Sequence, residues 1–526
     1  MEVARIKGLL HCFKNRHECA TYMSMRCHYF VQKALTCAFI VGITGIFLIT
    51  PVPGRQEGFV LDKRSHVIVL TERGFEPEVT TILNGDTVTF ISKTGNYFWP
   101  ASDLHPFHFI YPEFDPRRPI YPEESWSFTF NQSGHWSYHD HIGLATGAII
   151  VIPPGKDVKS LRILNVECGG EASSEDKSCY HNRILNVFKE DGLEAAFEEL
   201  SRVHESYPVF RGGCHLFAHD LGLISFHRYG EDVPLTEKTS YCGFGFYHGF
   251  MEGFLVRSNG NIQSAVNFCD NAGASLKGKR GLVREQCIHG IGHGIMEYLL
   301  STRFDLAHDI ESLIRMGTDQ CVSMDNDDSK FRCASGVYAV AKDWIHIQDL
   351  NERHTHLFTL ADPFALCKRV SSDWNKRACA WEFAKQTLRL AQYDSEKTFS
   401  AQILSASSWN EGVYLPFILV STAFLIGELN PERDNHVLAS HCASIGDDAL
   451  RAHCTEGIAR GLFFNASPEN EITRPASFCN WYEHSSAARH ACGNALVNVA
   501  VATFGEEVKN AVCQALSDQN GIPKCL

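Results

Sequence analysis

Cys242–Glu252 reads CGFGFYHGFME and Cys287–Glu297 reads CIHGIGHGIME, so both segments share the frame C-x2-G-x2-H-G-x2-E. In a soluble helix glycine costs about 1 kcal/mol relative to alanine, so Gly245/Gly249 and Gly290/Gly294 need a compensating reason. Each pair is four residues apart and shares one helix face, and close helix–helix approach supplies that reason. His248/Glu252 and His293/Glu297 are also four apart and face the same way. His289 lies one turn before His293, and the preceding segment contributes Cys214-His215 and His219. The spacing predicts that residues 160–526 form an all-α array of helical hairpins, each repeat built on a cysteine.

Later repeats carry Ala339, Lys385, Arg460 and Asn498 at the histidine position, and Asp343, Arg389, Phe464 and Ala502 at the glutamate position. The scaffold therefore does not itself demand His and Glu there. His215, His219, His248, Glu252, His289, His293 and Glu297 form a candidate cluster confined to the first repeats. Imidazoles and carboxylates from neighbouring helices ligate one or two metal ions or act as an acid–base pair. The alternative is a buried polar network that orders helix packing. The region resembles no family of known activity.

Four of the 20 cysteines (Cys12, Cys19, Cys27 and Cys37) come before residue 54, and the other sixteen follow residue 160. Sequential pairing gives recurrent short loops: Cys168–Cys179, Cys321–Cys333, Cys367–Cys379, Cys442–Cys454, Cys479–Cys492 and Cys513–Cys525, with Cys214–Cys242 and Cys269–Cys287 longer. Such bridges staple hairpin loops, each worth roughly 3 kcal/mol in the chain-entropy model. Zinc clustering is the alternative, against which the sequence has no CxxC.

Ala34–Thr50 is an uncharged apolar run preceded by Lys14, Arg16, Arg26 and Lys33, and ended by Pro51 and Pro53. The positive-inside rule makes 1–33 a cytoplasmic segment and 34–53 a single-pass transmembrane signal-anchor, with the rest of the chain extracytoplasmic in the periplasm or at the cell surface. A cleaved signal peptide is the alternative. The oxidising compartment agrees with the even cysteine number. A net charge of -13 argues against nucleic acid as a partner. The 44% hydrophobic content is that of globular domains, and the length requires more than one of them.

From Ser65 to Ile152 short apolar alternation is broken by turn residues: HVIVL at 66–70, VTTIL at 79–83, TVTFI at 87–91, WSFTF at 126–130 and AIIVI at 148–152. That pattern predicts a small antiparallel β-sandwich, with Asn84-Gly85-Asp86 as a hairpin-type turn. FEPEVTTILNGDTVTFIS (75–92), HPFHF (105–109) and GHWSYHDHIGLATGAIIVI (134–152) resemble the cupredoxin domains of plastocyanins and multicopper oxidases. The resemblance covers 60–153 and implies a Greek-key sandwich holding copper. His105-Pro106-Phe107-His108 is similar to the HPxH of multicopper oxidases. His139-Asp140-His141 stands where they carry HCH, and no Cys or Met occurs between Pro100 and Pro153. What the resemblance implies is a thiolate-free site of His105, His108, His139 and His141, with Asp140 a further carboxylate. Imidazole-rich sites suit Cu(II), Zn or Fe.

The expectation is a multidomain, membrane-anchored metal-binding protein, with copper at the histidine-rich domain and an electron-transfer or copper-handling role toward a redox or copper-handling protein partner. Two alternatives stand beside it: an enzyme using a second metal ion at the His/Glu cluster, and an interaction scaffold without catalysis. Whether the protein is an enzyme is left open by the sequence.

Overall fold

A computed structural model describes residues 64–516 apart from 106–107, 144, 156–167, 170–172, 208–212, 277–280, 307–308, 348–356, 408, 410–411, 467–469 and 483–485. The expected segments 1–33 and 34–53 lie outside the described residues. Among the described residues, no helix is long and apolar enough to cross a membrane.

Among the described residues eight strands come first: β1 (Ser65–Thr71), β2 (Gly74–Glu76), β3 (Val79–Leu83), β4 (Thr87–Ser92), β5 (Pro100–Ser102), β6 (Ser125–Thr129), β7 (Gly134–Asp140) and β8 (Thr146–Ile152). They form two four-stranded sheets, ordered β2-β1-β4-β6 and β3-β8-β7-β5. Alternation along β4 buries Val88 and Phe90, and along β3 it buries Ile82. Phe75 and Phe90 of the first sheet meet Tyr138 of the second, with ring centroids 4.9 and 5.5 Å apart.

The sheets correct two expectations. They are mixed rather than antiparallel, because β1 runs parallel to β4 and β3 parallel to β8. Asn84-Gly85-Asp86 does not close a hairpin, since β3 and β4 belong to different sheets. It is a corner. Asn84 N–H donates to Ile152 O in one sheet and Gly85 N–H to Phe130 O beside the other, at 2.9 and 2.8 Å. Gly85 adopts φ 94°, which glycine tolerates without a Cβ clash. Asp86 accepts from the amides of Leu83 and Arg64, both at 3.0 Å, and pairs with His66 at 2.9 Å.

The helices begin with α1 (Ser174–Asp191), α2 (Leu193–Ser206), α3 (Cys214–Tyr229), α4 (Gly245–Arg257), α5 (Ile262–Ser275), α6 (Val283–Thr302), α7 (Ile310–Cys321) and α8 (Asp327–Ile347). They continue with α9 (Ala365–Lys368), α10 (Asp373–Leu390), α11 (Ser395–Ser407), α12 (Leu415–Leu429), α13 (Asn435–Ser440), α14 (Asp448–Phe464), α15 (Thr473–Asn480), α16 (Ala487–Phe504) and α17 (Lys509–Ala515). Side-chain caps start several of them, among them Ser173 for α1, Asn261 for α5, Asp309 for α7 and Asp447 for α14.

An inner succession packs side by side in the order α3, α4, α6, α8, α10, α12, α14, α16. Glycine lets these helices touch. At Gly249 a Cβ would collide with the carbonyl oxygen of His219, and at Gly290 with that of Tyr247. The succession curls until its end meets its start: Gly281 N–H donates to Thr503 O at 2.7 Å, and Phe244 meets Phe464 at 6.1 Å.

Among the described residues, seven disulfides join Cys168–Cys179, Cys214–Cys242, Cys269–Cys287, Cys321–Cys333, Cys367–Cys379, Cys442–Cys454 and Cys479–Cys492. From Cys269 onward each ties an outer helix, or the turn after it, to the next inner helix. Cys525, the expected partner of Cys513, lies outside the described residues. The bridges mark a chain that folds in an oxidising, extracytoplasmic compartment.

The strands dock on the helices through α1 and β7. Ser178 Oγ donates to His135 O, as does Asn182 Nδ2 at 3.1 Å, and Ser137 Oγ meets His181 Nδ1 at 3.1 Å. Deeper in the molecule the Trp99 ring lies 5.2 Å from Trp344 of α8.

Candidate metal centre

The strand histidines arise from one local pairing. Ala101 of β5 stands opposite His139 of β7, which brings the segment after β5, carrying His105 and His108, against the end of β7, carrying His139 and His141. His105 Nδ1 is 3.3 Å from His139 Nε2, and His108 Nε2 is 3.0 Å from His141 Nδ1. All four are buried, at 5% exposure or less. One nitrogen each of His105, His139 and His141 falls within a group compact enough to hold a metal ion. Asp140 is not in that group: its Oδ1 accepts the Trp99 amide at 2.7 Å. Burial pushes the Asp140 carboxyl up to about 6 despite that bond.

The helical cluster arises from the stacking of α3, α4 and α6. His219 Nε2 and His293 Nδ1 both approach Glu252 Oε1 at 3.2 Å. His289 Nε2 is 3.3 Å from His293 Nε2, and the His248 ring lies 4.8 and 4.7 Å from those of His289 and His293. Two metal-sized groups result, His219/Glu252/His293 and His248/His289/His293. His215 turns away, its Nδ1 bonded to the Cys242 carbonyl at 3.0 Å, although its ring stays 4.9 Å from His248.

The two sets are one site. His105 Nε2 stands 3.4 Å from Glu297 Oε1 and 3.8 Å from Glu252 Oε2, making a further metal-sized group, His105/Glu252/Glu297, across the strand–helix contact. His105 also stacks on His219 at 5.7 Å. Sequence reading keeps these sets apart, because some hundred residues and a change of architecture separate them.

Charge is distributed so that most imidazoles are neutral and ready to donate lone pairs. Burial pushes His105 and His215 down to about 3 and holds His141, His248 and His289 well below the usual imidazole range. His139 runs the other way: burial lowers it, but the Asp103 carboxylate at 2.7 Å raises it further. Burial would raise Glu252, yet His219 and His105 hold it well below the carboxylate norm. Glu297 is pushed well above it by burial and by the charge of Glu252.

The donor set fits a metal. His248 is 5% exposed, and neither of its ring nitrogens finds a hydrogen-bond partner among the described residues; Nδ1 of His219 is in the same condition. A buried unpaired nitrogen costs about 1–3 kcal/mol, which a coordination bond would remove. The surrounding carboxylates have the geometry of groups that orient metal-ligating imidazoles. Asp103 holds His139, and Asp115 holds His108 Nδ1 at 2.8 Å. His181, bonded to Asp220 at 2.6 Å, lies 3.9 Å from Asp103. Nothing in the local sequence marks Asp103, Asp115, His181 or Asp220, which are single polar residues without a spacing partner.

The site opens on a cavity of about 450 Å³ enclosed by the curl of inner helices. His105, His219, His248, Glu252, His289 and His293 line it. So do Ala339, Lys385, Arg460 and Asn498, and Asp343, Arg389, Phe464 and Ala502. Those are the residues that occupy the His and Glu positions of later repeats, so the repeat frame defines the cavity wall.

Compared with known proteins, the chain matches no family model and no curated sequence.

Proposed function

We propose that this is an extracytoplasmic metal-binding protein whose centre is made jointly by the strand histidines and the helical His/Glu cluster. The observation that carries the reading is the convergence of His105 on Glu252 and Glu297, which joins two independently recognised ligand sets in one buried site. Copper is the metal we infer, held by His105, His139 and His141 with His108 beside them. An imidazole and carboxylate set of this kind also suits zinc or iron. The strands are read as a cupredoxin-type sandwich without its thiolate, a reading supported by the histidines after β5 and at the end of β7. A single-pass anchor at 34–53 would hold the chain at the membrane. When bound, copper would supply one-electron chemistry for electron transfer or copper delivery to a protein partner. The protein's own contribution is to exclude water and to fix the imidazoles with Asp103 and Asp115.

The second reading, a metal-dependent enzyme, is favoured by one observation: His248, with no hydrogen-bond partner among the described residues, faces the cavity. There His219, His293 and Glu252 would hold a second ion, and substrate would enter the cavity.

Metal analysis of the purified full chain after reconstitution tests both readings. Loss of copper on His139→Ala plus His141→Ala supports the first. Metal kept in that variant but lost on His248→Ala plus His293→Ala supports the second. Absence of stoichiometric metal in the wild type leaves an interaction scaffold. An intense thiolate-to-copper band in the visible spectrum would contradict the ligand set, since no cysteine stands in it.

A further inference from the structure

The cavity has a second chemical character, away from the histidines. Lys342, Lys385 and Arg389 share two carboxylates there, Asp343 and Glu382. Lys342 lies 3.1 Å from Glu382, Lys385 lies 3.0 Å from Glu382, and Arg389 lies 2.5 Å from Asp343. With Arg332 and Arg460, five cations line this side of the cavity, against the three carboxylates Asp343, Glu382 and Glu428. Burial raises the pKa of Glu428, while Lys385 and Lys342 oppose that rise. Arg460 Nη2 pairs with Glu456 at 2.7 Å and Arg332 Nε lies 3.7 Å from Asp328, while the buried Nε of Arg460 has no hydrogen-bond partner among the described residues. Between the cations lie flat apolar surfaces. Lys385 Nζ sits 5.4 Å over the Trp381 ring and 5.7 Å over Phe424, with Phe417 4.9 Å from Trp381.

We propose that this cavity binds an aromatic carboxylate, its anionic group on Lys385 and the Nε–H of Arg460, its ring on Trp381, Phe417 and Phe424. A pocket whose lining holds more cations than carboxylates on this side, with the Arg460 Nε–H lacking an acceptor, is stabilised by an anion. Aromatic walls beside a cation favour a planar body over an inorganic ion. The volume falls within the range of small-molecule sites. A ligand so anchored would extend toward His248, so this inference names the substrate class of the enzyme reading and rests on it for any reaction. Binding itself needs only the Lys385 side of the cavity.

The test is calorimetric titration of the full chain, metal-free and copper-loaded, with benzoate, 4-hydroxybenzoate and indole-3-acetate, each paired with its neutral amide. At least one carboxylate is expected to saturate a single site, with its amide bound at least tenfold more weakly. Hydrogen bonds to charged groups are worth about 1.5–3 kcal/mol, so Lys385→Gln is expected to weaken the carboxylate about ten- to a hundredfold. Arg460→Gln is expected to weaken it in the same direction and guards against misfolding of the first variant. His139→Ala plus His141→Ala, which removes the proposed copper, should leave carboxylate binding in place, so failure of the metal reading and failure of this one are distinguishable. Equal affinity for acid and amide, unchanged affinity in folded Lys385→Gln and Arg460→Gln, or no saturable binding of any of the three would overturn the proposal.

Discussion

Asp86 holds the corner between the two sheets with one carboxylate. Burial would raise its pKa, but the Leu83 amide, His66 and the Arg64 amide together pull it below the ordinary aspartate value. A depressed folded pKa contributes stability that is full above the unfolded value, near 3.9, and is lost as pH falls through the folded value. Asp86→Asn should therefore cost about 1–3 kcal/mol at neutral pH. The gap from wild type should narrow below about pH 4, where wild type gives up what the variant never had. Urea unfolding at pH 7 and pH 3 measures this; an equal gap at both would refute it. The same scale shows what sequence conceals. Asn84-Gly85-Asp86 reads as a hairpin turn because its residue types suit one. Which strands it joins depends on β8 and β6 pairing nearby, and no three-residue motif encodes that.

Close helix packing is decided at the level of elements. By propensity alone, alanine at Gly249 would stabilise α4 by about 1 kcal/mol. The structure reverses the sign, because a Cβ there would collide with the His219 backbone carbonyl and crowd the His219 Nδ1. Gly249→Ala should destabilise by about 1–3 kcal/mol, the cost of overpacking a well-filled contact, and should lower metal content by shifting His219 from Glu252. Thermal unfolding and metal analysis of the one variant read both effects. A stabilised variant with full metal would show that α3 and α4 have room to separate. Here the sequence was legible: glycines and histidines at a spacing of four do share the inner faces. It was also right about the frame, since the later residues at those positions line the same cavity. It was silent on the meeting of His105 with Glu297. That contact depends on α1 receiving β7 through Ser178, Asn182 and His181, polar contacts between residues 43–47 apart in the chain that no periodicity reveals.

For the whole molecule, the bridges and the curl act together. Replacing Cys321 and Cys333 by alanine removes a bridge of sequence separation 12 and should cost roughly 3 kcal/mol, read as a lowered midpoint in guanidinium. The copper-binding stoichiometry should survive, because the bridge lies outside the ligand set. Were metal lost with the bridge, the centre would depend on α7–α8 geometry more than its ligands imply. The spacing of cysteines made most of the stapling readable, since each bridge is local. The curl was not readable, for it accumulates from small rotations between successive helices.

Gly281 bonding to Thr503 has a consequence for the protein's history. An open stack of repeats lengthens or shortens easily, because a duplicated or deleted unit at either end disturbs one neighbour. Here the last inner helix touches the segment leading into α6, so the count of inner helices is fixed by closure. A gained or lost unit would open the wall and expose the cavity to bulk solvent. Variation in length among descendants of this chain should therefore gather in the loops between outer and inner helices, and leave the number of inner helices untouched.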